Sequence, residues 1–229
     1  MKKVMGCVEI YEDFITEDQA QNIIKISEDI DQDPDFELGF KDASVGKGHK
    51  GGDIRSNKTF NITEFHFTPK ESRIYRESVK DGKDKYFQNI SNIQDLIASK
   101  LQEYVNEYTK KYDFPIMFDE GYTLLRYQGG QEYKAHCDYA PHMPRYLSAL
   151  ILLNPLEYEG GGTYFVHFDE NIKPEKPALV LFPSNYAYAH RAMPIISGTK
   201  YAIVTWLGHQ IDTDGLPDFY LPRGWKWMQ

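Results

Sequence analysis

Tyr127-Gln128-Gly129-Gly130-Gln131-Glu132-Tyr133-Lys134-Ala135-His136-Cys137-Asp138 is the stretch on which the reading of this 229-residue chain turns. Side chains along a strand alternate between faces, so residues two apart share a side. His136 and Asp138 therefore aim an imidazole and a carboxylate at one point, while Cys137 faces away.

A second imidazole from a neighbouring strand would complete a two-histidine, one-carboxylate set with open positions. That set suits Fe(II), as in non-haem iron oxygenases, whereas thiolates favour zinc or iron–sulfur clusters. His190, on a strand following the turn at 183–185, is the candidate. With seven histidines and many acidic residues, about one His-x-acid tripeptide is expected by chance, so its neighbours must support it. His167-Phe168-Asp169 has the same spacing, but runs into a charged, proline-containing stretch, 169–176, that reads as a solvated hairpin tip. His49, His66, His142 and His209 lack partners at ligand spacing and read as surface or satisfied core residues.

Lys200 lies ten residues after His190 and opens an apolar strand. Strand parity places Lys200, Ala202, Val204 and Trp206 on one face. A buried lysine is costly unless an anion partners it. It either anchors a small dicarboxylate or sits at a strand end and reaches solvent.

The surrounding texture is β. Strands are expected at 122–127, 133–138, 147–154, 163–168, 178–182, 188–193 and 200–207, a spacing that suits a sandwich or barrel. The N-terminal half differs. A loose strand at 4–10 precedes a capping box, Thr16-Glu17-Asp18-Gln19, that predicts an amphipathic helix over 16–31. A second capping box, Ser91-Asn92-Ile93-Gln94, predicts a helix over 91–112 with one apolar stripe. The Gly-, Asp- and Lys-rich segment 32–58 reads as a long loop. No composition break marks a linker, so helices backing a β-core in one domain, 1–229, is the simplest organisation. Within it, 1–114 is helix-rich support and substrate loop, 115–209 the core, and 210–229 a tail with Trp225 and Trp227.

Composition narrows the function classes. Acidic residues outnumber basic ones 34 to 26, for a net charge of −8. That balance disfavours nucleic acid, whose phosphates require a basic field. Two cysteines cannot make a disulfide scaffold, so a reducing compartment is the default. No apolar run approaches the roughly 20 residues of a membrane helix. The start is too short for a signal segment of about 7–15 apolar residues. A soluble, cytoplasmic, unprocessed protein is expected.

Tyr127, Tyr133, the His136-x-Asp138 pair, His190, and Lys200 ten residues on together resemble the catalytic domain of prolyl 4-hydroxylases. These are 2-oxoglutarate- and Fe(II)-dependent dioxygenases. The resemblance spans about residues 4–209, including the opening Tyr11-Glu12-Asp13-Phe14. It implies a mainly β, α+β fold: a double-stranded β-helix (jelly roll, cupin-like) backed by N-terminal helices. It implies Fe(II) on His136, Asp138 and His190, and 2-oxoglutarate with its distal carboxylate on Lys200, helped by Tyr127 and Thr163. Tyr133 and Trp206 resemble positions near the substrate proline, and Glu120 and Arg55 resemble positions in the substrate groove. The loop at 46–57 departs from the family's Arg-Thr-Ser-Ser-type stretch, with only Arg55-Ser56-Asn57 in partial match. The implied reaction hydroxylates a proline-containing peptide or protein with O2. It is coupled to conversion of 2-oxoglutarate to succinate and CO2, with ascorbate as an accompanying reductant. Two alternatives stand beside it: a same-fold oxygenase of a free amino acid or other small molecule, and a non-catalytic jelly-roll binding module.

Overall fold

The computed structural model describes residues 2–34, 38–45, 49–63, 85–116, 118–139 and 145–208, with backbone alone at 2–4, 49, 50 and 85. His66, His142, His209, the His49 side chain and the tail with Trp225 and Trp227 lie outside the described residues.

The chain opens with β1 (Lys2–Met5) and β2 (Val8–Glu12), then α1 (Glu17–Gln32). Next come β3 (Lys41–Asp42), β4 (Ser44–Val45), β5 (His49–Lys50) and β6 (Lys58–Asn61), then the long helix α2 (Lys85–Tyr112). The β-rich half follows: β7 (Phe118–Asp119), β8 (Thr123–Tyr127), β9 (Tyr133–His136), β10 (Arg145–Leu152), β11 (Tyr158–Gly160), β12 (Thr163–Phe165), β13 (Glu170–Ile172), β14 (Ala178–Pro183), β15 (His190–Ala192), β16 (Ile195–Gly198) and β17 (Lys200–Gly208). A 3-10 turn, Tyr186–Tyr188, precedes β15.

The major sheet runs β1-β2-β14-β10-β17-β8-β6-β3, with β7 also on β17. The minor sheet runs β13-β12-β15-β9. Every pairing in both sheets is antiparallel. This is the expected jelly roll, mainly β, with two supporting helices among the described residues.

Parity along the major strands sorts the core into two layers. Leu147, Ala149, Ile151, Leu179, Leu181, Tyr201, Ile203 and Leu207 join the cluster containing the helical residues Ile23, Ile97, Leu101 and Val105. The alternate residues Leu125, Tyr127, Leu152, Val180, Phe182, Ala202 and Val204 join Phe165 and Ile172 of the minor sheet. The central strands β10, β14 and β17 are therefore apolar on both faces, and this part of the chain reads as near-continuous hydrophobic runs.

Local signals held in part. Thr16 and Gln19 cap α1 reciprocally, at 3.1 and 3.0 Å. The capping box at Ser91 is not used, because α2 already begins at Lys85. Phe87 and Ile90 are buried and extend the stripe of Ile93, Ile97 and Leu101 one turn upstream. Apolar burial outweighs a cap worth about 1 kcal/mol. The expected single strand at 4–10 is a hairpin, β1–β2, turning at Gly6 with φ +46°. The 32–58 segment carries three two-residue strands, β3 to β5, too short to leave a periodic trace.

Candidate iron and 2-oxoglutarate site

The site forms where the minor sheet faces the inner layer of the major one. His136 ends β9 and His190 begins β15, and the ladder pairs them directly. Ligand atoms of His136, Asp138 and His190 lie within 4.8 Å of one another. Asp138 and His190 are buried, and His136 is partly so.

Each imidazole is oriented by its own backbone. His136 Nδ1 lies 2.8 Å from Lys134 O, and His190 Nδ1 lies 3.1 Å from Tyr188 O. A carbonyl only accepts, so each Nδ1 carries a proton, which leaves the two Nε2 as the ring atoms turned to the ligand cluster. These face Asp138: His136 Nε2 is 3.5 Å from Oδ1, and His190 Nε2 is 3.8 Å from Oδ2. Burial alone would raise the Asp138 pKa. His190, His136 and the Ser148 hydroxyl outweigh it and hold the carboxyl well below the usual range. Burial lowers the His190 pKa, against the pull of Asp138. The three ligand atoms converge on one point, where positive charge is stabilised by the carboxylate. Two nitrogens and one oxygen on one side fit Fe(II) with open positions.

Tyr133 stacks flat on His136, with centroids 3.6 Å apart and planes at 15°. The Arg55 guanidinium lies 4.8 Å from the Tyr133 ring on a bridge between the two backbones. Backbone bonds from Ser56 to Glu132 O, 3.1 Å, and from Lys134 to Ile54 O, 2.9 Å, fasten this loop to the edge of β9.

Lys200 is 2% exposed, and its ammonium donates to Gly161 O at 2.5 Å. Among the described residues no carboxylate pairs with it. Burial, assisted by the charge of Lys173, pushes its pKa down to about 7. The Tyr127 ring lies 5.5 Å away, and Tyr127 is Lys200's register partner between β8 and β17. Burial pushes the Tyr127 hydroxyl up to about 12, so it stays protonated as a donor. A buried ammonium with no described carboxylate beside it, next to a phenol, fits a carboxylate guest. Gly161 makes the arrangement feasible: its φ is +63°, and a Cβ there would meet Ile195 at 2.5 Å and Tyr158 at 2.8 Å.

One cavity joins these parts. Arg55, Tyr127, Tyr133, His136, Asp138, Thr163, His190, Lys200 and Trp206 all line it, with Ala202 and Val204 between the last two. Glu120 does not line it. Its carboxylate is forked to Arg145 at 2.7 and 2.5 Å, and that guanidinium lies 3.7 Å over the Trp206 ring. Glu120 thus touches the cavity only through Arg145 and Trp206. His167 is exposed on the turn after β12, apart from the cluster.

Sequence reasoning missed Ser148, whose hydroxyl donates to Asp138 Oδ2 at 2.6 Å. A lone hydroxyl in an apolar strand was visible, but its partner was not. Arg145, which also donates to Asp138 O at 3.3 Å, was missed as well. It borders 140–144, outside the described residues.

A jelly roll that turns two imidazoles and a carboxylate onto one point, beside a buried cation, fits a mononuclear non-haem iron site. Residues 122–208 match the model of the 2OG-Fe(II) oxygenase superfamily, a match that supports a 2-oxoglutarate-dependent dioxygenase, and the fold is prolyl hydroxylase-like. Among similar solved structures is a prolyl hydroxylase from Trichoplax adhaerens in complex with a hypoxia inducible factor oxygen degradation domain peptide fragment. Its TM-score is 0.64 at 17% identity, covering 88% of this chain and 83% of that one. The viral collagen prolyl hydroxylase of Paramecium Bursaria Chlorella virus-1, in its 2OG complex, has a TM-score of 0.57 at 19% identity, covering 90% and 97%. A Pseudomonas putida prolyl-4-hydroxylase has a TM-score of 0.58 at 15% identity, covering 88% and 92%. At these identities the likeness is one of fold. No curated protein matches the sequence. No described helix is long and apolar enough to cross a membrane.

Proposed function

We propose that this protein hydroxylates prolyl residues of a peptide or protein, using Fe(II), O2 and 2-oxoglutarate. The observation that carries the reading is the shared cavity of the His136, Asp138 and His190 cluster with a buried Lys200 that pairs with no carboxylate among the described residues. A binding module has no need of that combination. Bound Fe(II) supplies the oxidising chemistry, in which 2-oxoglutarate becomes succinate and CO2 and one oxygen atom enters a C–H bond.

The protein's own residues bind, orient and exclude water. His136, Asp138 and His190 hold the metal on one side. Lys200 neutralises the distal carboxylate of 2-oxoglutarate, with Tyr127 and Thr163 beside it. Tyr133 and Trp206 offer flat aromatic walls to a pyrrolidine ring. Arg55 reaches the mouth from the loop, and Glu120 acts through Arg145. Ascorbate as external reductant belongs to the same reading, as does one catalytic domain over 1–229 with its core at 115–209. Cys7 and Cys137 are both free thiols, which supports a reducing, cytoplasmic setting.

The test is anaerobic loading with Fe(II), then O2 and 2-oxoglutarate, with proline-containing peptides or free proline offered separately. Succinate formation with a peptide product heavier by one oxygen atom supports the proposal. Hydroxylation of free proline alone moves the substrate to the small-molecule class. An absence of both Fe(II) binding and succinate overturns the reading.

A further inference from the structure

Asp138 is held from behind by two buried hydroxyls in series. Ser148 Oγ lies 2.6 Å from Asp138 Oδ2, and Ser184 Oγ lies 2.9 Å from Ser148 Oγ. Ser148 is 0% exposed and Ser184 1%, so water does not compete for these bonds. The direction of the chain follows from counting protons. An ionised carboxylate can only accept, and a serine has one hydroxyl proton. Ser148 therefore donates to Oδ2, and Ser184 donates to Ser148.

The fold fixes both hydroxyls. Ser148 sits in β10 opposite Phe182 of β14 on one side and Trp206 of β17 on the other. Ser184 directly follows β14, and its backbone N–H donates to Tyr146 O at 3.0 Å. Neither serine lines the cavity, so neither touches substrate or cofactor. The two oxygens of Asp138 are thereby made unequal. Oδ2 accepts the Ser148 hydroxyl and lies 3.8 Å from His190 Nε2, while Oδ1 lies nearer an imidazole, 3.5 Å from His136 Nε2.

We infer that Ser148, backed by Ser184, is a positioning residue that reserves Oδ1 for the metal and keeps Asp138 from chelating through both oxygens. The inference rests on the Fe(II) reading above and deepens it. A carboxylate free to rotate would close a position that the cosubstrate and O2 require. It would also add rotational freedom that binding must then remove.

The experiment is anaerobic Fe(II) titration calorimetry on the full chain, with the metal-free melting temperature measured in parallel. Ser148→Ala is expected to weaken Fe(II) binding by about 10- to 100-fold, the range for groups that orient a metal ligand. Ser148→Thr, which keeps the hydroxyl, restores most of the affinity, and Ser184→Ala gives a smaller loss than Ser148→Ala. A merely structural serine would lower the metal-free melting temperature and leave the affinity of the folded fraction at the parental value. A folded Ser148→Ala with parental Fe(II) affinity overturns the inference. If that variant does not fold, Ser184→Ala decides, and parental affinity there overturns it equally. If the parent takes up no Fe(II), the metal reading itself has failed and takes this inference with it.

Discussion

His136 and His190 are register partners in the β9–β15 ladder, with ring centres 4.5 Å apart. The pairing of two strands, rather than a loop, sets the separation of the two imidazoles. Sites on rigid elements hold their geometry better than sites on loops. His136→Ala or Asp138→Ala is therefore expected to abolish Fe(II) binding and succinate formation without unfolding the sheet. His167→Ala removes an exposed histidine of identical sequence spacing and leaves both near parental values. Anaerobic calorimetry and a succinate assay on the three variants check this. Activity in His136→Ala with loss in His167→Ala would show that the wrong pair had been chosen.

Cosubstrate binding should depend on pH with Lys200 as the proposed anchor. In the empty site its pKa is pushed down to about 7 by burial. A carboxylate guest requires the ammonium form, so binding above that pH takes up a proton. The affinity for 2-oxoglutarate should fall by about tenfold per pH unit above 7 and level off below it. Calorimetry in buffers of different ionisation enthalpy reads the proton directly; uptake that stays at zero through pH 8.5 rules the scheme out. For the empty protein the linkage runs the other way. The unfolded lysine keeps its proton up to 10.5, so between about 7 and 10.5 the unfolded state binds more protons. This group's contribution to stability then rises with pH across that window.

Lys200→Ala tests the same seat without titration. A hydrogen bond to a charged group contributes about 1.5–3 kcal/mol, or roughly 10- to 150-fold in affinity. The KM for 2-oxoglutarate should rise by that order while Fe(II) affinity changes little. Parallel loss of both would make Lys200 a packing residue rather than an anchor.

Strand parity explains how much of this was legible. Lys200, Ala202, Val204 and Trp206 were expected on one face, and all four line the cavity. The His136-x-Asp138 spacing carried the local geometry because a strand has a period of two. What parity cannot supply is which strands become neighbours. The Ser148 contact with Asp138 depends on where β10 lies relative to the end of β9. The Arg126 contacts depend on how α1 crosses the sheet. The fork of Glu120 on Arg145 joins residues 25 apart in sequence. The Ser91 capping box misled because a cap is a weak local term, and buried Phe87 and Ile90 outweigh it.

Gly161 links backbone conformation to the anchor. Its φ of +63° lies in the left-handed region, and its carbonyl receives the Lys200 ammonium. Left-handed backbone costs a residue with a Cβ about 1–2 kcal/mol, before the contacts with Ile195 and Tyr158 are counted. Gly161→Ala should lower stability by at least that amount in denaturant unfolding. It should also raise the 2-oxoglutarate KM, because the carbonyl must shift. A variant that loses stability while keeping the parental KM would mean that the carbonyl does not position Lys200.

Arg126 ties the helical layer to the strand that carries Tyr127. It is 8% exposed, and its guanidinium donates to Glu28 Oε1 at 2.7 Å and Asp31 Oδ2 at 2.8 Å, both on α1. Tyr201, from β17, donates to the same Glu28 oxygen at 2.8 Å. Arg126 also stacks on Phe40, 4.1 Å from the ring centre. Removing one member of a buried charge group leaves the others without compensation, at a cost of about 3–5 kcal/mol for full burial. The side chains of Glu28 and Asp31 are 25% and 21% exposed, so water offsets part of that cost. Arg126→Ala is expected to cost about 2–4 kcal/mol in equilibrium unfolding. Because Arg126 faces the helices and Tyr127 the cavity, Fe(II) affinity should stay close to parental in the folded fraction. A double replacement, Glu28→Gln with Asp31→Asn, removes both anions and should relieve part of the Arg126→Ala loss when combined with it. Strict additivity of the two would mean that the groups do not interact.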